Sequence, residues 1–200
     1  MRRAMLVSVI EPPTAVVTVD EARAHLRLDH TDDDGLLETL IKAATGWIDG
    51  PAGWLGRCIG GQVLEMRLAR WPSRGSDLPL PYPPVVQIEQ VAHLGSDGNE
   101  QPVSDTLYRL AGNRLWLMPD FVAPVGGDEP YPVRIRYWAG YGAMNAQGQW
   151  ENDAPATIKA AILMLVGQWY ANPEAVATAT SNDTMPFAVE ALLQPYRVLS

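Results

Sequence analysis

The sequence predicts an α+β fold in which helical ends enclose a strand-rich middle. Three observations carry that reading. Residues 18–50 repeat apolar side chains at helical spacing, and residues 60–138 alternate apolar with polar or crowd prolines together. The third is "AAILMLVGQWYANPE" at 160–174, a helix with no wet side. A surface helix keeps one apolar stripe, so one that is apolar all round must be covered on most sides.

The first helix opens at Thr18, which forms a capping-box pattern with Glu21, and "DEARAHLRL" then sets Val19, Ala22 and Leu26 toward one side. A second is expected from Thr31 or Asp32, where aspartates complement the positive helix end. Leu36, Leu37, Leu40, Ile41, Ala44, Trp47 and Ile48 recur at helical spacing until Gly50 and Pro51 stop it. The pair reads as a hairpin with one shared apolar face. Strands follow. "QVLEMRLARW" alternates as a half-buried strand should, and "LPLPYPPVVQIEQVAHL" is too proline-rich for helix and leads into a strand through Val86 and Ile88. "GSDGNEQ" is turn chemistry. "TLYRLAGNRLWLMP" reads as a hairpin turning at 111–113, where Gly112 and Asn113 tolerate left-handed angles. "YPVRIRYWAGYG" begins as another alternating strand, and "GAMNAQGQWEND" reads as a polar loop.

Pro155 suits the first turn of the long C-terminal helix, which is expected to end near Asn172 and Pro173. "ATATSNDT" has linker composition, and "MPFAVEALLQPYRVLS" carries one short apolar turn between Pro186 and Pro195. The expected segments are an N-terminal arm at 1–17, a helical hairpin at 18–59 and a β-rich insertion at 60–142. A C-terminal core helix at 143–175 and a linker with a docking tail at 176–200 complete the chain.

Composition excludes several classes. With 200 residues, 47% hydrophobic and 19% charged, the chain is globular and can bury one full core or two small ones. A net charge of −8 argues against a surface that grips nucleic-acid phosphates, yet suits a wall that DNA merely passes. The lone Cys58 cannot form an internal disulfide. The apolar run at 160–166 is far short of the roughly 20 residues a membrane span needs. In "MRRAMLVSVIEPP" the apolar stretch is broken by Ser8 and ended by Glu11 and two prolines, so it reads as the arm of a cytoplasmic product, not a signal peptide.

"DHTDDDG" invites a test for metal binding. An EF-hand loop needs glycine at its sixth position and glutamate at its twelfth. Counting from Asp29 places Asp34 sixth; counting from His30 places Gly35 sixth but Ile41 twelfth. Asp29, Asp32, Asp33 and Asp34 therefore read as solvated carboxylates at a helix start, and a metal-dependent enzyme built on them is the third-ranked reading. His25, His30 and His93 lack zinc spacing, Cys58 has no C-x-x-C partner, and no nucleophile elbow, P-loop or dinucleotide fingerprint is present. No catalytic, cofactor or metal site is expected. Seven tryptophans and seven tyrosines, an over-apolar helix and an apolar tail instead suggest surface that a partner covers. The long helix is expected to be buried partly by its own hairpin and partly by another chain; burial wholly within its own domain is the alternative.

Five blocks in order carry a family resemblance: "TVDEARAHLRLDHTDDDGLLETLIKAATGWID", "LPLPYPPVVQIEQV", "VRIRYWAGYG", "APATIKAAILMLVGQWYANPE" and "MPFAVEALLQPYRV". Together they resemble the head–tail connector (adaptor) proteins of tailed bacteriophages, relatives of which occur in phage-like gene transfer agents. The resemblance runs from Thr18 to Val198. It implies a small α-helical bundle with a β-rich insertion and a mobile C-terminal tail, and a non-enzymatic structural protein of a virion or virion-like particle. Its copies would form a ring, commonly dodecameric, beneath the portal protein, extending the DNA channel and offering a platform to stopper or tail proteins. A stopper or tail-completion protein is the alternative. The resemblance further implies that 158–170 is a core helix facing neighbouring subunits through Ile162, Leu165, Trp169 and Tyr170. Phe187, Leu192, Leu193, Tyr196 and Arg197 would dock on the portal or a neighbour. Family members often carry arginine where this chain has Pro173, and the arm at 1–17 matches least well.

Overall fold

A computed structural model describes residues 5–73, 75, 77–124, 129–173 and 185–198. Helix α1 (Val19–Leu26) starts as the sequence implies. The Thr18 hydroxyl accepts the Glu21 N–H at 3.1 Å, and the Glu21 carboxylate accepts the Thr18 N–H at 2.7 Å. Helix α2 (Asp34–Ile48) starts later than expected. Its cap residue, Asp33, accepts no backbone N–H with its side chain, because that carboxylate takes the Tyr170 hydroxyl at 2.5 Å. Pro155 is the cap of α3 (Ala156–Ala171) and not part of its first turn.

The helices share one apolar core. Leu37, Ile41, Ala44 and Ile48 of α2 are buried with Ala161, Ile162, Leu165 and Val166 of α3. A fourth helix, α4 (Phe187–Leu193), adds Val189 and Leu193 to the same core. Helix α3 packs against α1, α2 and α4. That is why it has no polar face: it is the inner helix of its own chain.

Strand β2 (Gln62–Leu68) pairs antiparallel with β1 (Met5–Glu11) on one side and β8 (Val133–Ala139) on the other. Beyond β8 lie β4 (Val85–Leu94) and β5 (Glu100–Pro102), giving the order β1-β2-β8-β4-β5. The expected N-terminal arm is thus an edge strand over 5–11. This also explains why β2 is almost wholly buried instead of half-buried: it is an inner strand. Leu64, Met66 and Leu68 face the apolar interior, while Glu65 on the other face lies under guanidinium groups. A second sheet, β3 (Asp77–Pro79), β7 (Arg114–Leu117) and β6 (Tyr108–Ala111), closes over that interior with Leu78, Leu115 and Leu117. The hairpin expected at 111–113 joins β6 to β7, with Gly112 at φ 58°.

The segment read as a polar loop is a hairpin, β9 (Gly142–Met144) with β10 (Trp150–Asn152). Its polar letters are turn chemistry, since Asn145 Oδ1 accepts the N–H groups of Gln147 and Gln149. Trp150 stacks on Trp138 at 5.6 Å. Among the described residues the chain is therefore α+β, with four α-helices and three antiparallel sheets.

Candidate interaction surface

A bonded seam joins helices to strands. Asp49, directly after α2, is buried, and its carboxylate accepts Ile59 N–H at 2.7 Å, Gly60 N–H at 3.1 Å and Gln62 Nε2 at 3.0 Å. Burial pushes this carboxyl up to about 6, against the pull of those donors. Gly61 lies where a Cβ would fall 2.1 Å from the Trp150 ring, so glycine leaves the space that the indole fills. The seam makes the helical and strand units one rigid presenter of surface.

The residues expected to form an interface divide into two groups. Ile162, Leu165 and Leu193 are fully buried among the chain's own helices, so no second chain covers them in this fold. The other six reach the surface to different degrees. Trp169 is half-buried and stacks on Trp47 at 5.8 Å; Tyr170 bonds Asp33. With Leu36, Leu40 and Pro173 they line a cleft of about 470 Å³. Leu36 is 49% exposed there. The helical repeat groups Leu36 with the shared apolar face of α2, but it lies at that face's margin, about 100° around the helix from the fully buried Leu37. Phe187 is 86% exposed at the start of α4.

Leu192 and Tyr196 pack half-buried on the helical core, and the Arg197 guanidinium sits 4.1 Å above the Trp54 ring. The Val198 N–H then donates to the Leu55 carbonyl at 2.8 Å. Over 185–198 the expected mobile tail is accordingly docked on its own fold, since Val189 and Leu193 gain burial there. The linker expected over 177–184 lies outside the described residues, as do residues 1–4 of the arm.

Two features were missed by sequence reading. Met5, Leu6, Val9 and Ile10 are exposed on β1, which among the described residues is an edge strand of the five-stranded sheet. A larger groove, about 640 Å³, runs between residues 12–19 and α2. Neither the prolines at 12–13 nor the helical pattern of α2 reveals that groove, because it arises only when the arm packs.

On the open face of the five-stranded sheet, Glu65 accepts Arg67 at 2.6 Å and Arg136 at 2.7 Å, and Arg136 also reaches Glu100 at 2.9 Å. The two guanidiniums hold the Glu65 carboxyl below its ordinary range despite burial. These are paired ions, not a free acid–base pair. The aspartates at the start of α2 are similarly engaged: Asp34 pairs with Arg23 at 3.1 Å and Asp33 accepts Tyr170. Among the described residues no group of three or more His, Cys, Asp or Glu side chains is placed to hold a metal, and no helix is long and apolar enough to cross a membrane.

Comparison with protein families matches residues 16–62 to the phage gp6-like head-tail connector protein family. The resemblance to head–tail connectors holds. The matched stretch comprises α1, α2 and the Asp49 seam up to the first residue of β2, less than a quarter of the chain. Solved structures extend the likeness in fold to nearly all of it. A chain in the neck of an empty gene transfer agent (GTA) particle, computed with C6 symmetry, is 23% identical with a TM-score of 0.69, covering 98% of this chain and 96% of that one. A chain of the virion of the native particle gives the same 23%, 0.69, 98% and 96%. One in the neck of the native particle, computed with C12 symmetry, is 21% identical with a TM-score of 0.64, over 98% and 96%. No curated protein matches the chain.

Proposed function

We infer that this protein is a head–tail connector of a phage or gene transfer agent particle, a structural and non-enzymatic component of the neck. The observation that carries the reading is the family match at 16–62 set within a fold that follows a neck protein over 98% of the chain. The proposed assembly is a ring beneath the portal protein, dodecameric in keeping with the C12 symmetry applied to the similar neck. Its helical bundle would extend the DNA channel and its far side would receive stopper or tail proteins. DNA would slide through without sequence readout, which the net charge of −8 favours. Trp169 and Tyr170 in the cleft, and Phe187, Leu192, Tyr196 and Arg197 around α4, are the residues proposed to meet neighbours or the portal.

Purified protein incubated with DNA-filled, tailless particles and imaged at the portal vertex tests this directly. Added ring density under the portal, with its subunit count, is the expected result. A bare vertex with folded protein in excess overturns the connector reading in favour of a later tail-side factor.

A further inference from the structure

Phe187 fits the groove beside α2 in shape, and Glu190 near it is opposite in charge to Lys42 on the groove's rim, yet α4 does not line that groove within its own chain. Helix α4 is fixed by Val189 and Leu193, which are buried on its other face, and by the Val198–Leu55 hydrogen bond that follows it. Phe187 therefore points away from its own core, and it is not among the residues lining the groove. Beside it Ala188 and Ala191 are exposed and small, which allows another surface to approach closely. Glu190, one turn on, makes no ion pair among the described residues.

The groove has the opposite character. Its walls are Pro12, Pro13, Val17, Val19 and Ile41, an apolar lining with room for an aromatic ring. Thr45, also lining it, is 7% exposed and its hydroxyl has no hydrogen-bond partner among the described residues. A buried hydroxyl left unpaired is costly, so it marks a place where an incoming backbone group would be welcome. At the rim stand Lys42, 80% exposed, and Glu38, which also lines the groove 3.8 Å away, so an incoming carboxylate meets Lys42 in competition with Glu38. Lys42 and Thr45 lie one helical turn apart, as do Phe187 and Glu190, so both pairs have the same spacing of about 5–6 Å.

We propose that the groove between residues 12–19 and α2 receives the exposed face of α4 from a second copy of this chain, with Phe187 as the anchor and Glu190 opposite Lys42. Repeated head to tail the contact is heterologous: each copy offers one patch forward and one back, and in the proposed connector the rotation between copies closes the series as a ring. The inference rests on the connector reading above. It adds which surfaces hold adjacent subunits together.

The test uses full-length Lys42→Cys and Glu190→Cys proteins, purified separately, mixed with DNA-filled tailless particles and treated with a short bis-maleimide. Cys58 is buried and its thiol pushed up, so it does not compete. Cross-linked pairs should form only in the mixture and vanish when Phe187→Asp is added to the Glu190→Cys chain. In parallel, Lys42→Glu and Glu190→Lys should each weaken self-association about fivefold, and the double reversal should restore it. Rings at the vertex without mixed cross-links would overturn the proposal and leave the connector reading standing. So would a double reversal no better than the singles, or a Lys42→Cys product linked to portal or tail protein in place of a second copy. No ring at the vertex overturns the connector reading itself, and this contact with it.

Discussion

Leu193→Ala measures whether the C-terminal helix belongs to the folded subunit or waits for a partner. Leu193 is fully buried against α3 together with Val189. Truncating a buried leucine to alanine costs the lost transfer energy plus a cavity term, about 2.7–5 kcal/mol, with the smaller values where surroundings can collapse. Helix α4 is a short peripheral element, so about 3 kcal/mol is expected. For a chain of this size that corresponds to a fall in Tm of roughly 6–12 °C. Phe187→Ala supplies the control, because its ring is 86% exposed and its loss should change stability by no more than about 0.5 kcal/mol. Urea unfolding followed by tryptophan fluorescence reads both, with an unchanged slope showing that only stability moved. If Leu193→Ala costs no more than Phe187→Ala, α4 leaves the surface before the rest unfolds. The docked tail described above would then be wrong for the isolated subunit.

Three further outcomes follow from the seam and the sheet. Asp49 has a folded pKa of about 6, above its ordinary 3.8, so the folded state holds the proton more tightly than the unfolded chain does. Its contribution is most favourable below pH 4 and declines by about 3 kcal/mol as pH rises to 6, then stays level. The difference in urea midpoint between wild type and Asp49→Asn across pH 4–8 should trace that decline; a flat difference refutes it. Glu65 has the opposite sign, since its guanidinium partners depress the folded pKa: Glu65→Gln should lose about 3 kcal/mol at pH 7 and less as pH falls through the acid range, read by the same titration. Gly61→Ala must displace the Trp150 ring, so soluble yield and Tm should both drop, and an unchanged melt would contradict the close approach.

Local signals in the sequence predicted local structure well. The Thr18–Glu21 box, the stop of α2, the 111–113 turn and the alternation of β8 each depend on neighbours within a few residues, and each is found. What failed depended on distant contacts. Residues 5–11 become a strand only because β2 offers an edge, and Trp150 orders a hairpin only because Trp138 lies across from it. The over-apolar α3 was legible as covered, but sequence alone could not say by what. Three helices of the same chain answer that, and Ile162 and Leu165 accordingly pass from expected interface to core. Among the six surface candidates that remain, Trp169, Tyr170, Phe187 and Tyr196 are aromatic residues whose spacing fits either role. Only their exposure in the folded chain separates them from the buried Leu193.

That separation bears on how such a subunit can associate. An isologous dimer needs one patch complementary to itself, holding protrusion and cavity together. Here the protruding ring is on α4 and the groove lies between the arm and α2, so one patch does not contain both. In the proposed assembly two copies joined through them leave a free patch at each end, which further copies extend into a ring where the rotation between copies closes. The Asp49 seam matters for that closure. A subunit whose arm shifted relative to its helices would change the angle between the patches and hence the subunit number. Asp49, Gln62 and the Thr14–Gly61 hydrogen bonds, at 2.9 and 3.0 Å, lock arm, helix end and sheet into a single geometry. On this argument the buried carboxylate, costly in solvation, is retained because it fixes an angle. Weakening it should then broaden the distribution of ring sizes before it unfolds the subunit, which mass measurement of assemblies formed by Asp49→Asn would reveal; a uniform ring of wild-type size would refute it.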